Sequence, residues 1–117
     1  MDIVYKDAKT EKICKNLKEA KKKFNRDIAE KLMSRINLLQ SASNFKDIIT
    51  LPFLNFHKLQ GNLKDKFAID IGSRRSGYRL ILEPLDINGK KFKPCDIDKI
   101  MDSVKIILIL EVSNHYE

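Results

Sequence analysis

Phe67-Ala68-Ile69-Asp70-Ile71-Gly72-Ser73-Arg74-Arg75-Ser76-Gly77-Tyr78-Arg79-Leu80-Ile81-Leu82-Glu83 sets the architecture of this chain. Phe67, Ile69 and Ile71 share one side of an extended segment, and Ala68 and Asp70 share the other. After the reversal, Tyr78, Leu80 and Leu82 alternate in the same way with Arg79, Ile81 and Glu83. A period of two predicts two strands. Gly72 to Gly77 then forms the hairpin loop between them, with Arg74 and Arg75 at its tip.

Around this hairpin the period changes. Upstream, Ile13, Leu17, Ala20 and Phe24 recur at steps of four, three and four, which predicts one helix with these residues on its buried face. Lys9, Lys12, Lys15, Lys18, Lys22 and Lys23 fall largely off that face. Asn25 can cap a second helix whose buried stripe is Ile28, Leu32, Ile36 and Leu39, with Ala29 and Met33 beside it. Phe45, Ile48 and Ile49 predict one more helical turn, stopped at Leu51-Pro52 because proline disfavours a helical residue before itself.

At the start, Ile3-Val4-Tyr5 reads as a short strand. Downstream, Asn88-Gly89 marks a tight turn and Asp96 is placed to cap a short turn holding Ile97, Ile100 and Met101. The apolar run Val104 to Val112 predicts a central strand buried on both faces. This order predicts an α+β fold, with an N-terminal helical hairpin packed on a mainly antiparallel sheet of three to four strands.

A chain of 117 residues, 43% hydrophobic, suits a single domain, 1–117, whose core needs neither disulfide nor metal. Cys14 and Cys95 stand in different segments with no CxxC and no Cys/His cluster, so no zinc site is expected. The first residues lack the pattern of a secretory signal. The longest apolar run, Ile106 to Leu110, falls far short of the roughly 18 residues needed to span a bilayer. A soluble, cytoplasmic protein with no membrane partner is the expectation. The net charge of +7 is uneven: residues 1–40 carry eleven basic and six acidic side chains, residues 55–79 six and two, and residues 80–117 five and seven. Such asymmetry points to a polyanion or an acidic protein partner.

GxSxG, P-loop, GxGxxG-plus-acid and HExxH motifs are all missing, which argues against the enzymes built on them. The polar groups concentrated near the predicted sheet are His57-Lys58, Lys64, Lys66, Arg74, Arg75, Arg79 and, near the end of the sequence, His115-Tyr116. Both histidines of the chain are among them.

His57-Lys58-Leu59-Gln60-Gly61, followed by Phe67 to Ile71 and Ser76-Gly77-Tyr78-Arg79-Leu80-Ile81, resembles the K-L-x-G, strand, S-G-Y-R-L core of RelE-type toxins of the RelE/ParE superfamily. The last strand leading into His115-Tyr116 is similar to that of the HigB branch. Many HigB toxins end that strand with aspartate, tyrosine and histidine, whereas Ser113-Asn114-His115-Tyr116 lacks the acid unless Glu111 or Glu117 replaces it. The resemblance implies the toxin of a type II toxin-antitoxin system, a metal-independent endoribonuclease acting on ribosome-bound mRNA with no cofactor. It also implies a cognate helix-turn-helix antitoxin of the HigA kind, with operator DNA reached through that antitoxin.

Under that resemblance the chemistry assigns roles. Metal-free RNA cleavage uses the ribose 2′-hydroxyl as nucleophile, so a protein must take its proton, neutralise the phosphorane and protonate the leaving 5′-oxygen. Arg79 fits the phosphate clamp, since its planar fork grips two oxygens at once. His57, His115 and Tyr116 form the proton-transfer set. Lys58, Lys64, Lys66, Arg74 and Arg75 are the expected electrostatic grip on RNA. Two other readings stand beside this one: a ParE-like toxin that inhibits gyrase by protein contact, and a degenerate toxin that binds only antitoxin or RNA.

Overall fold

A computed structural model describes residues 1–114. Strand β1 (Asp2–Tyr5) leads into helices α1 (Ala8–Lys15), α2 (Leu17–Lys23), α3 (Arg26–Ser41) and α4 (Phe45–Ile49). The strands β2 (His57–Lys58), β3 (Phe67–Asp70) and β4 (Tyr78–Leu85) come next, then the short helix α5 (Ile97–Ile100) and β5 (Ile106–Asn114). The α+β class is as the sequence predicts, but the sheet has five strands in the order β1-β5-β4-β3-β2. All neighbours are antiparallel except β1, which runs parallel to β5 with Asp2 opposite Ile106. The strand the sequence did not predict is the two-residue β2 at the opposite edge, which takes the sheet beyond three to four strands.

The predicted first helix is two helices. Asn16 sits in extended conformation, its backbone N–H closing α1 on the Lys12 carbonyl while its Oδ1 accepts from the Glu19 amide and starts α2. The break turns Leu17 outward, so it is 37% exposed instead of buried. Asn25 caps α3 as predicted, its Oδ1 accepting from the Ile28 amide at 2.9 Å. The stripe Ile28, Leu32, Ile36 and Leu39 then packs on Ile69, Leu80, Leu82, Ile107 and Ile109, the helix-facing side of the sheet. Each such side chain contributes roughly 1.5–3 kcal/mol on burial.

One other expectation is corrected. The predicted doubly buried strand, Val104 to Val112, starts at Ile106 and continues to Asn114; within β5 only Ile107 and Ile109 are fully buried. It lies one strand from the edge, beside β1. The more enclosed strand is β4, buried on both faces from Leu80 to Leu85. On its second face the chain returns beside it, with Leu85 bridged to Lys91 and Lys91 Nζ 3.7 Å from Glu83. Strand β3 is likewise buried throughout, including Ala68 and Asp70.

Candidate active site

The segment carrying His57 is anchored from its other side. Phe56 stacks on Phe67 with centroids 5.0 Å apart and meets Phe45 edge-on at 5.3 Å. With Phe56 held in the core, alternation turns His57 to the face away from the helices, where it lies opposite Ala68. His57 Nδ1 donates to the Asn55 carbonyl at 2.7 Å. A carbonyl oxygen only accepts, so Nδ1 carries the proton and Nε2 keeps its lone pair. That lone pair accepts from Arg79 Nη1 at 3.4 Å.

Arg79 is fixed by sheet register, between Asp70 on β3 and Ser113 on β5. Ile71 N–H donates to the Tyr78 carbonyl, so the adjacent Asp70/Arg79 pair is a non-hydrogen-bonded one, in which side chains stand closest. Its neighbour Tyr78 faces the helices and meets the Phe24 ring edge-on at 5.4 Å. Arg79 Nε is buried and has no hydrogen-bond partner among the described residues. A buried cationic N–H without an acceptor is costly.

The Ser-Gly that precedes Tyr78-Arg79 has a structural role. Ser76 Oγ donates to the Ile71 carbonyl at 2.8 Å and accepts from the Tyr78 amide at 3.2 Å, stitching the open end of the hairpin. Gly77, with φ of 75°, makes the left-handed step from the turn Arg74–Ser76 into β4.

Sequence reasoning missed two residues here. Asn55 adopts a left-handed conformation (φ 48°, ψ 47°) after the turn Pro52–Leu54, which aims its carbonyl at His57. Its Oδ1 accepts from Arg74 at 2.8 Å, so Arg74 is tied to the histidine's support. Arg35 on α3 donates from Nε to the Asp70 carbonyl at 2.8 Å, at the β3 edge beyond the two-residue β2. Burial pulls the Arg35 pKa down, with the Asp70 charge opposing the shift. Asparagine's tolerance of left-handed backbone, just after a proline turn, was the available signal for Asn55. Nothing local marks Arg35.

The remaining candidates divide. Lys58, Lys64 and Lys66 line a cleft of about 220 Å³ with Asp65, Phe67 and Cys95, at the end of β3 away from Arg79. Lys66 precedes Asp70 by four residues, about 13 Å of strand at 3.3 Å per residue. Arg75 is exposed on the hairpin turn. Glu111 is exposed opposite Ile81, on the same face as Arg79. His115, Tyr116 and Glu117 lie outside the described residues; β5 ends at Asn114, opposite Tyr78. No described helix is long and apolar enough to cross a membrane.

No family model matches the sequence, and no curated protein matches it. Among solved structures the chain is similar to a YoeB/ParE toxin from Agrobacterium tumefaciens, with a TM-score of 0.52 and 12% identity over 99% of this chain and 100% of that one. At that identity the likeness is one of fold.

Proposed function

We propose that the protein is the toxin of a type II toxin-antitoxin pair, a metal-independent endoribonuclease that cuts mRNA on the ribosome. The observation that carries this reading is the His57–Arg79 pair. An imidazole with its lone pair at Nε2 stands 3.4 Å from a guanidinium whose Nε–H has no partner among the described residues. The fold shared with a solved toxin and the Ser76-Gly77-Tyr78-Arg79-Leu80 motif support it.

In this mechanism Arg79 grips the non-bridging oxygens of the scissile phosphate and stabilises the charge of the phosphorane. His57 Nε2 takes the proton of the 2′-hydroxyl. That oxygen bonds to phosphorus, the bond from phosphorus to the 5′-oxygen breaks, and a 2′,3′-cyclic phosphate results. The departing 5′-oxygen takes its proton from the His115-Tyr116 tail. Lys58, Lys64, Lys66, Arg74 and Arg75 hold the flanking phosphates, and a helix-turn-helix antitoxin of the HigA kind silences the site.

Primer extension on mRNA in a translating extract tests this directly, comparing the wild type with Arg79→Ala. New ends inside the reading frame, lost in the variant, are expected. Intact mRNA alongside arrested translation would overturn the reading, and intact mRNA with inhibited gyrase would replace it with the ParE-like one.

A further inference from the structure

Phe53 is out of place for an aromatic residue. It stands in the turn Pro52–Leu54 with 57% of its surface exposed, while its neighbour Leu54 is fully buried. Isolated exposed apolar residues need no explanation by themselves, but this ring is built into a setting. The Arg35 guanidinium lies over it, 5.3 Å from the centroid, and is itself held by the Asp70 carbonyl. One face of the ring is therefore backed by a fixed cation. Pro52 at the first position of the turn and the left-handed Asn55 after it restrict the backbone on both sides.

The surroundings are cationic. Phe53 precedes Asn55 by two residues, which puts their Cα atoms at most about 7 Å apart. Asn55 carries the bonds to His57 and Arg74, and His57 touches Arg79. Arg35 thus lies over the exposed ring, Arg74 is tied to Asn55 two residues on, and Arg79 is linked to the same segment through His57; Asp70, whose carbonyl holds Arg35, is only 5% exposed. Arginines bind phosphate, and an aromatic face accepts any base, the combination that holds single-stranded nucleic acid. An acidic protein segment would find the cations but has no comparable use for a rigid ring.

We propose that Phe53 is a stacking platform for an unpaired base of the RNA, next to the nucleotide whose phosphate is held by Arg79, with Arg35 backing the ring. This rests on the ribonuclease reading and adds a base-binding subsite to it. The subsite is indifferent to base identity, because stacking uses the π face and no hydrogen-bonding edge reads the base.

The chain contains no tryptophan, so Phe53→Trp introduces a single fluorophore at the proposed contact. Its emission is followed at low salt, where the +7 charge favours binding, during titration with a non-cleavable 2′-O-methyl hexanucleotide and, separately, with inorganic polyphosphate. Anisotropy of a labelled hexanucleotide reports binding in parallel. The hexanucleotide is expected to quench the indole and polyphosphate is not. Phe53→Leu, which keeps apolar bulk but loses the ring, should weaken hexanucleotide binding about tenfold, and Phe53→Trp should restore it. Binding without quenching, or Phe53→Leu binding as wild type, overturns the platform and leaves the ribonuclease reading standing. Quenching by RNA without cleavage on ribosomes sustains the platform while that reading falls. No hexanucleotide binding even at low salt overturns the platform and leaves the ribonuclease reading to the primer-extension test. Unchanged RNA affinity with lost antitoxin affinity in Phe53→Leu assigns the ring to a protein partner and also overturns the platform.

Discussion

The two ends of β4 are built from the same alternating strand to opposite purposes. From Leu80 to Leu85 every residue is buried, with Leu80 and Leu82 in the core against α3. At Tyr78-Arg79 the strand is half-exposed, and Arg79 Nε has no hydrogen-bond partner among the described residues; in the buried end Glu83 Oε1 likewise has none, with Lys91 Nζ 3.7 Å away. The first arrangement maximises burial. The second leaves a half-exposed guanidinium beside an imidazole whose proton is fixed on Nδ1.

The contrast predicts opposite losses at the two ends. Leu82→Ala should destabilise the fold by about 2–5 kcal/mol in denaturant unfolding, through lost transfer energy and a residual cavity. Arg79→Ala should change stability by less than about 1 kcal/mol, since a group with an unsatisfied nitrogen contributes little net. It should nevertheless lower mRNA cleavage by about a hundredfold or more, the scale of removing one charge-stabilising donor. Stability losses of equal size at both positions would erase the distinction between the two ends.

Residues 115–117 sharpen the same comparison. Strand pairing reaches Asn114, so deleting His115-Tyr116-Glu117 removes no described ladder partner. The deletion should leave thermal unfolding within a few degrees of wild type and abolish cleavage and growth arrest. A truncated protein that still cuts mRNA at the wild-type rate would remove His115 and Tyr116 from the mechanism, leaving His57, Arg79 and the lysines as the only candidates.

A smaller effect is expected at Asn55, whose left-handed backbone aims the carbonyl that fixes His57. A β-branched residue resists that conformation by roughly 1–2 kcal/mol, whereas glycine adopts it freely. Asn55→Val should scramble the His57 tautomer in ¹⁵N NMR and reduce cleavage about tenfold, which is the rate equivalent of that strain. Asn55→Gly, which keeps the backbone but loses the tie to Arg74, should retain the Nδ1–H form. If Asn55→Gly loses that form as fully as Asn55→Val does, the amide side chain and not the backbone does the positioning.

Much of the buried end was legible because its signals are local. The α3 stripe, its Asn25 cap and the alternation of β3 and β4 follow from spacing within a few residues. Asn16 was not legible: the apolar steps run through it unbroken, and only its extended backbone turns a surface asparagine into a helix boundary. The β1 edge was read as a strand, but its parallel pairing joins Asp2 to Ile106, a contact no local pattern encodes. At the site, the motif supplied Arg79 and His57 as separate residues. Their meeting needs β3 between them in register, and the roles of Asn55 and Arg35 depend on where β2 stops.

The lysine cleft gives the smallest and most discriminating effect. Lys58, Lys64 and Lys66 line the cleft at the far end of β3, with Lys66 about 13 Å along the strand from the Asp70/Arg79 pair, and salt dependence measures whether they share one RNA track with Arg79. A lysine that neutralises one phosphate of a single strand releases condensed counterions and adds roughly 0.7 to the slope of log affinity against log salt. Lys64→Ala tests this better than Arg74→Ala, because Lys64 is exposed whereas Arg74 also supports Asn55 and through it His57. Binding of the non-cleavable hexanucleotide, or of ribosomes, is measured between low and physiological salt for the wild type, Lys64→Ala and Lys64→Ala/Lys66→Ala. If the track runs the length of the strand, the slope falls by about 0.7 for each lysine removed, while affinity extrapolated to high salt barely moves. A parallel salt dependence in all three proteins confines the RNA to the Arg79 end. The cleft would then be a solvated rim of the buried half, and its lysines would drop out of the RNA-binding surface.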